Sequence, residues 1–160
     1  MIVKAPQEIP LTRRATVFLA GSIEMGAAED WQEHVGAYLS SHEFCVLSPR
    51  RDDFDQDAEQ ALEDDYFRGQ VQWELDGLER ADVVYMYLAP GTKSPISLLE
   101  LGMYARSGKL LVVCPEGFWR RGNVDIVCAR YRVPLFRTFV DGNGAAMAML
   151  GRSEQQRLYA

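Results

Sequence analysis

The sequence predicts an α/β protein, a three-layer α/β/α sandwich of the flavodoxin or Rossmann-like type built on a five-stranded parallel sheet. Short, almost continuously apolar runs alternate along the chain with longer segments of helical spacing. Continuous apolar runs are typical of parallel strands that helices cover on both faces. A length of 160 residues suits one domain with its own core, so we expect residues 1–160 to form a single domain.

Short apolar runs rich in β-branched residues predict the strands. The first run ends at Gly21-Ser22 and the second at Ser48-Pro49, both of which are turn signals. In chain order, the predicted strands are Ala15–Ala20, Phe44–Leu47, Asp82–Leu88, Leu110–Cys114 and Leu135–Phe139.

Segments with apolar residues every three or four positions predict the helices. In the first of them Trp31, Val35 and Leu39 share one face. A polar, acidic stretch from Arg50 to about Asp57 is expected to be a loop. In chain order, the predicted helices are Ala28–Ser41, a long helix that ends near Arg80, Leu98–Ser107, Val124–Tyr131 and Ala145–Leu158.

The strand order expected for such a sheet is 2-1-3-4-5, numbered along the chain. Ligands of these folds bind beyond the carboxyl ends of the strands, where the order reverses between strands 1 and 3. We therefore expect Gly21-Ser22 and the segment Ala89–Ser97 to flank the functional site.

The charge balance argues against polyanionic partners. Seventeen basic residues against 23 acidic ones give a net charge of −6 and a pI near 4.9. A negative protein repels phosphate backbones and anionic lipid, so we expect neither a nucleic-acid nor a membrane partner. A small-molecule ligand remains compatible with this charge.

The cysteines and the first residues point to a cytoplasmic protein. Cys45, Cys114 and Cys128 are odd in number and lack the spacing of metal ligands, so we expect reduced thiols. The first ten residues contain no hydrophobic signal core. No glycine-rich phosphate loop and no His, Cys and Asp cluster with metal spacing is present, so we expect no metal and no organic cofactor.

One carboxylate of the helix ending at Arg80 lies in an apolar setting. Phe67, Val71, Leu75 and Leu78 form the predicted apolar stripe, and Glu74 falls on or beside it. Glu74 is either a rim residue whose head reaches water or a partly buried acid whose raised pKa lets it handle a proton. The neighbouring Trp73 is either a packing residue or an aromatic wall for a planar ligand.

A second carboxylate, Glu100, lies near the start of the next helix. Ser97 and Glu100 have the spacing of a capping box, but a helix with Ser94 as N-cap and Pro95 in first place also fits. In both cases we expect the helix dipole to favour an ionised Glu100, a candidate nucleophile at the strand-end crevice. Enzymes that break a glycosidic bond typically use two carboxylates in different environments.

Four segments in this order resemble the nucleoside 2-deoxyribosyltransferases and the related nucleotide N-glycosidases. The likeness covers roughly Val17 to Tyr131. The matching segments are Phe18-Leu19-Ala20-Gly21-Ser22-Ile23, Glu74 eight residues before Asp82, Leu99-Glu100-Leu101-Gly102, and Gly122-Asn123-Val124.

The resemblance implies a retaining double displacement on a 2′-deoxynucleoside and a free nucleobase. Glu100 attacks C1′ as the nucleobase leaves, and Glu74 contacts the base and exchanges the proton with it. Phe18, Gly21 and Ser22 would lie under the sugar and base. Asn123 would reach the site of a neighbouring subunit, which implies a homo-oligomer, a dimer or higher.

Some residues depart from the family pattern and leave alternatives open. Glu74 stands where the transferases commonly have aspartate. Ser94 resembles the glycosidases and suits a phosphate, whereas Glu24 would repel one. The alternatives to the transferase are a hydrolase of deoxynucleosides or nucleoside 5′-monophosphates, and a non-catalytic nucleotide-sensing module.

Two basic segments have both a binding and a surface interpretation. Arg50 and Arg51 follow the second strand and either bind a base carbonyl or phosphate or are a solvated loop pair. The bulky basic cluster Phe118-Trp119-Arg120-Arg121 precedes Asn123. Aromatic residues beside arginines are typical of subunit interfaces, which is the use we expect for it.

Overall fold

A parallel sheet with helices on both faces organises the chain in the computed structural model, which describes residues 1–23, 29–53, 55 and 57–159. Within these residues the strands are β1 (Ile2–Lys4), β2 (Thr16–Gly21), β3 (Cys45–Ser48), β4 (Val83–Tyr87), β5 (Leu110–Val113) and β6 (Leu135–Phe136). The helices are α1 (Trp31–Ser41), α2 (Asp65–Arg80), α3 (Pro95–Tyr104), α4 (Arg121–Tyr131) and α5 (Phe139–Leu158).

The strand order is β1-β3-β2-β4-β5-β6, and all neighbouring strands are parallel. From β3 to β6 this is the predicted order 2-1-3-4-5, so the α/β class and the reversal between β2 and β4 are confirmed. The predicted count of five strands is wrong, because β1 adds a sixth at the edge beside β3. Its three residues are too short for a recognisable pattern, and Ile2 is 41% exposed.

The helices divide between the two faces of the sheet, which confirms the three layers. Residues of α2, α3 and α4 pack on one face, with Leu78, Leu101, Val124 and Cys128 among those buried there. Residues of α1 and α5 pack on the other face, with Val35, Leu39, Ala146 and Leu150 among those buried there. In the described part of the chain, no helix is both long and apolar enough to cross a membrane.

Helices α3 and α5 begin at other residues than predicted. Helix α3 begins at Pro95 with Ser94 as its N-cap residue, so the capping box from Ser97 is wrong and the alternative start is confirmed. Helix α5 begins at Phe139, well before Ala145, because the N–H of Asp141 donates to Oγ1 of Thr138 at 3.2 Å. This cap also cuts short the predicted last strand.

Two glycines allow the close approaches that build the site. A Cβ on Gly21, where φ is +135°, would lie 2.1 Å from the carbonyl oxygen of Tyr87, so only glycine fits beside β4. A Cβ on Gly77 would lie 2.7 Å from Cδ2 of Phe18. Gly77 thus lets α2 pack directly on β2.

Candidate active site

The carboxyl ends of β2 and β4 meet where the strand order reverses. The N–H of Ser22 donates to the carbonyl oxygen of Tyr87 at 2.9 Å, and the N–H of Ala89 donates to Oγ of Ser22 at 2.9 Å. The Trp31 indole N–H donates to the carbonyl oxygen of Ser22 at 2.9 Å. The predicted flanks, Gly21-Ser22 and the segment that starts at Ala89, are therefore brought together by hydrogen bonds.

Three hydroxyl groups form a cluster at this point, made of Ser22, Thr92 and Ser94. Oγ of Ser22 lies 2.8 Å from Oγ1 of Thr92 and 2.6 Å from Oγ of Ser94, and the latter two are 3.0 Å apart. Ser22 and Ser94 are both buried. Oγ1 of Thr92 donates to the carbonyl oxygen of Ala89 at 2.8 Å, so its proton is already used, and the oxygens of the hydroxyl cluster can accept a hydrogen bond from a sugar hydroxyl.

The turn at Ser94 aims α3 at the site. Ser94 has the left-handed backbone angles φ 46° and ψ 55°, and Pro95 follows in the first helical position. Glu100 is the sixth residue of α3 and is only 9% exposed. The helix thus carries its carboxyl group into the protein, one and a half turns beyond the hydroxyl cluster.

Glu100 is held mostly protonated at neutral pH. Burial, and to a lesser extent the negative charge of Glu74, raise the pKa of Glu100 to about 8. The expectation of an ionised Glu100 is therefore wrong for the unliganded protein. The physical reason is position, because the helix dipole acts within the first turn and Glu100 lies beyond it.

Glu74 is the second acid of the pair and lies on α2. Burial raises the pKa of Glu74, and a hydrogen bond from Gln70 opposes that rise. Nε2 of Gln70 donates to Oε1 of Glu74 at 2.8 Å. The interpretation of Glu74 as a partly buried acid with a raised pKa is confirmed in direction.

The buried face of α2 is not the predicted stripe. Leu75 is 39% exposed, whereas Trp73, Gly77 and Leu78 are buried. Glu74 borders this buried face. The prediction is wrong at Leu75, because Trp73 and Gly77 face the sheet instead. Glycine has no apolar side chain, so a search for apolar periodicity does not find Gly77.

Phe18 of β2 and Trp73 of α2 pack against each other where the helix meets the sheet. Phe18 is fully buried, its ring centroid lies 6.2 Å from that of Trp73, and Trp73 donates from Nε1 to the carbonyl oxygen of Gln7 at 2.7 Å. These contacts favour the packing interpretation of Trp73. For Phe18 they show a packing role, and its contact with a ligand stays a prediction.

Arg50 is tied to the start of α1. Its Nε lies 3.5 Å from Oδ2 of Asp30, and its Nη1 donates to the carbonyl oxygen of Glu29 at 3.3 Å. Arg51 instead packs over the ring of Tyr66 at 4.2 Å and pairs with Asp53. Arg50 directly follows Pro49, whose carbonyl oxygen accepts a hydrogen bond from Gln70. Of the two arginines, Arg50 therefore stays the candidate for ligand binding.

Asn123 lies in a groove between α3 and α4 with a volume of about 350 Å³. Leu98, Leu101 and Trp119 are among the residues that line the groove, and neither glutamate is. Asn123 is exposed there. Within one chain the structure therefore does not bring Asn123 to the glutamates.

Sequence reasoning missed Thr92 and Gln70. Thr92 joins the hydroxyl cluster through the fold, although its place two residues before Ser94 was a usable signal. Gln70 lies four residues before Glu74, the spacing at which helical side chains meet. Glu24 lies outside the described residues, and among the described ones no group of His, Cys, Asp and Glu could hold a metal ion.

A family model described as nucleoside 2-deoxyribosyltransferase like matches residues 14–118, which is more than half of the chain. The chain belongs to this family. The nucleoside 2-deoxyribosyltransferase-like segment contains both glutamates and the whole hydroxyl cluster, and it ends before Asn123. No curated protein matches the chain.

Proposed function

We propose that this protein transfers 2-deoxyribose between nucleobases through a covalent deoxyribosyl-Glu100 intermediate. The observation that carries the proposal is the pair formed by the buried Glu100 and the partly buried Glu74. Burial raises the pKa of both carboxyl groups, and the charge of Glu74 adds to the rise at Glu100. One carboxylate and one proton are what glycosidic bond cleavage requires.

In the first half-reaction the pair supplies both the nucleophile and the acid. The proton held by Glu100 passes through Glu74 to a ring nitrogen of the nucleobase, and this leaves Glu100 ionised. As the C1′–N bond breaks, the bonding electrons go to the protonated base and a Glu100 carboxylate oxygen bonds to C1′. The missing 2′-hydroxyl helps, because that electron-withdrawing group would destabilise the positively charged sugar in the transition state.

The second half-reaction reverses these steps with another base. The incoming nucleobase gives its N–H proton to Glu74 as its nitrogen bonds to C1′, and the C1′–O bond to Glu100 breaks. The enzyme therefore ends the cycle with the same number of protons as at the start. Two displacements at C1′ retain the configuration of the sugar.

The hydroxyl cluster is the proposed site for the 5′ end of the sugar. Three neutral hydroxyls at the carboxyl ends of β2 and β4 match a neutral 5′-hydroxyl, and the net charge of −6 disfavours an anionic substrate. A second candidate function is hydrolysis of a nucleoside 5′-monophosphate. It is favoured by the position of Ser94 at the N-terminus of α3, where phosphates bind readily.

We further propose a homo-oligomer that uses the α3 and α4 surface. Ile96, Leu99 and Met103 of α3 and Ile126 of α4 are each more than half exposed, as is Trp119 beside them. Exposed apolar residues grouped on one surface are typical of an interface. Asn123 would then enter the site of a second chain.

A chromatographic assay of purified protein with deoxyinosine, with and without excess adenine, tests the proposed function. Deoxyadenosine that forms only when adenine is present supports base exchange. Free hypoxanthine in both tubes without a new nucleoside identifies a hydrolase. If neither appears, the 5′-monophosphates are tested in the same way, and failure there overturns both enzymatic functions in favour of a binding module.

A further inference from the structure

The side-chain amide of Gln70 has a fixed orientation beside Glu74. Its Nε2 donates to the carbonyl oxygen of Pro49 at 2.9 Å and to Oε1 of Glu74 at 2.8 Å. A backbone carbonyl can only accept, so the nitrogen and not the oxygen must face Pro49. Rotation of the amide by half a turn would put its oxygen against the Pro49 carbonyl oxygen, which cannot donate.

The other end of this amide is an acceptor without a partner. Oε1 of Gln70 is buried and has no hydrogen-bond partner among the described residues. Buried acceptors are nearly always paired, because an unpaired one loses its bonds to water. Since Nε2 and Oε1 share one carbon atom, this open acceptor lies next to the Glu74 carboxyl group.

We propose that Gln70 selects the nucleobase, with Oε1 accepting an N–H from an exocyclic amino group while Glu74 contacts the adjacent ring nitrogen. This inference rests on the proposed function, because it places the base at Glu74. The base must carry an amino group beside a ring-nitrogen acceptor, as adenine and cytosine do. Hypoxanthine and uracil instead present a carbonyl oxygen, which would face Oε1 without a proton between them.

The fixed amide makes this a strict selection. A freely rotating glutamine can bind either kind of base, because its amide oxygen accepts from an amino group and its amide nitrogen donates to a carbonyl group. Gln70 cannot turn without losing its bonds to Pro49 and Glu74. A site with a buried group that needs a hydrogen-bond partner rejects ligands that leave it unpaired.

The kcat/KM values for deoxyadenosine and deoxyinosine, measured with one common acceptor base, test the inference. These donors differ in the group at C6, and we expect deoxyadenosine to be favoured by on the order of tenfold or more. In Gln70→Met, which lacks the amide, the ratio should fall to near one. Gln72→Met, two residues along α2 and exposed, is the matched control and should keep the wild-type ratio.

The ratio separates base selection from a merely structural effect, because loss of support for Glu74 would slow both donors alike. Deoxycytidine and deoxyuridine repeat the contrast for pyrimidines. A wild-type ratio near one, or a ratio that survives in Gln70→Met, overturns the inference.

Calorimetric binding of free adenine and free hypoxanthine to the wild-type protein needs neither turnover nor a variant. Tighter binding of adenine without turnover of any deoxynucleoside supports the role of Gln70 and overturns the proposed function. Equal binding of the two bases, or binding of neither, overturns the role of Gln70 whether or not the protein turns over a nucleoside.

Discussion

Glu100 shows how surroundings set the chemistry of a single carboxyl group. Its pKa of about 8 lies far above the usual value of 4.5 because the group is buried and faces the charge of Glu74. The folded state therefore binds this proton more tightly than the unfolded chain does. Its contribution to stability is complete below pH 4.5 and is lost as the pH rises through 8.

Glu100→Gln should remove this pH dependence, since an amide keeps the shape of the carboxyl group without ionising. At pH 8 to 9 the variant should be more stable than the wild type by on the order of 2–4 kcal/mol, and at pH 4 the two should be nearly equal. Urea unfolding at both pH values measures the difference. An exposed carboxyl replaced in the same way, Glu63→Gln, should show no such change with pH.

The rate loss on replacement of Glu74 should be largest for nucleobases that must be protonated before they leave. Glu74→Gln should slow the use of deoxyadenosine by about 10²–10⁴-fold, because no acid remains to protonate the base. It should slow 7-methyldeoxyadenosine far less, since that purine is already cationic and leaves without a proton. Initial rates with both donors test this, and equal losses on both would contradict the acid role.

At the scale of elements, the approach of α2 to β2 sets the position of Glu74. Gly77→Ala would place a methyl group 2.7 Å from the buried Phe18 ring. We expect a loss of about 1–3 kcal/mol in the free energy of unfolding, together with slower turnover as α2 shifts.

Gly69→Ala on the same helix is the matched control. Apart from the two neighbouring residues and the backbone of α2 itself, no atom of the described residues lies within 4 Å of a Cβ at Gly69, so the change should be neutral or stabilise the helix by up to about 1 kcal/mol. Urea unfolding and the base-exchange assay measure both variants. A Gly77→Ala protein as stable and active as the control would show that α2 tolerates a larger separation from the sheet.

At the scale of the whole molecule, Asn123 lies on an exposed surface that includes apolar residues of α3 and α4. If it acts on a neighbouring chain, Asn123→Ala and Glu100→Ala should each be inactive alone. Mixed after co-refolding, they should regain part of the wild-type rate, because one mixed site then contains both intact residues. Light scattering establishes the oligomer, and a mixture that stays inactive would contradict a shared site.

The fold class and the order of five strands could be predicted from the sequence, and so could the two carboxyl groups of the candidate site. These follow from local properties, namely apolar runs, helical spacing and an acidic residue in an apolar setting. The crevice between β2 and β4 followed as well, because a reversal of strand order places it there.

Four features could be known only from the folded protein, namely the edge strand β1, the hydroxyl cluster, the raised pKa of Glu100 and the orientation of the Gln70 amide. Each of these depends on groups that are distant in the chain and meet only in the fold. The pKa of Glu100 is raised because the surrounding protein buries the carboxyl group and, to a smaller extent, because α2 brings the charge of Glu74 near. Neither burial nor the charge of a distant residue can be read from the spacing of residues along one helix.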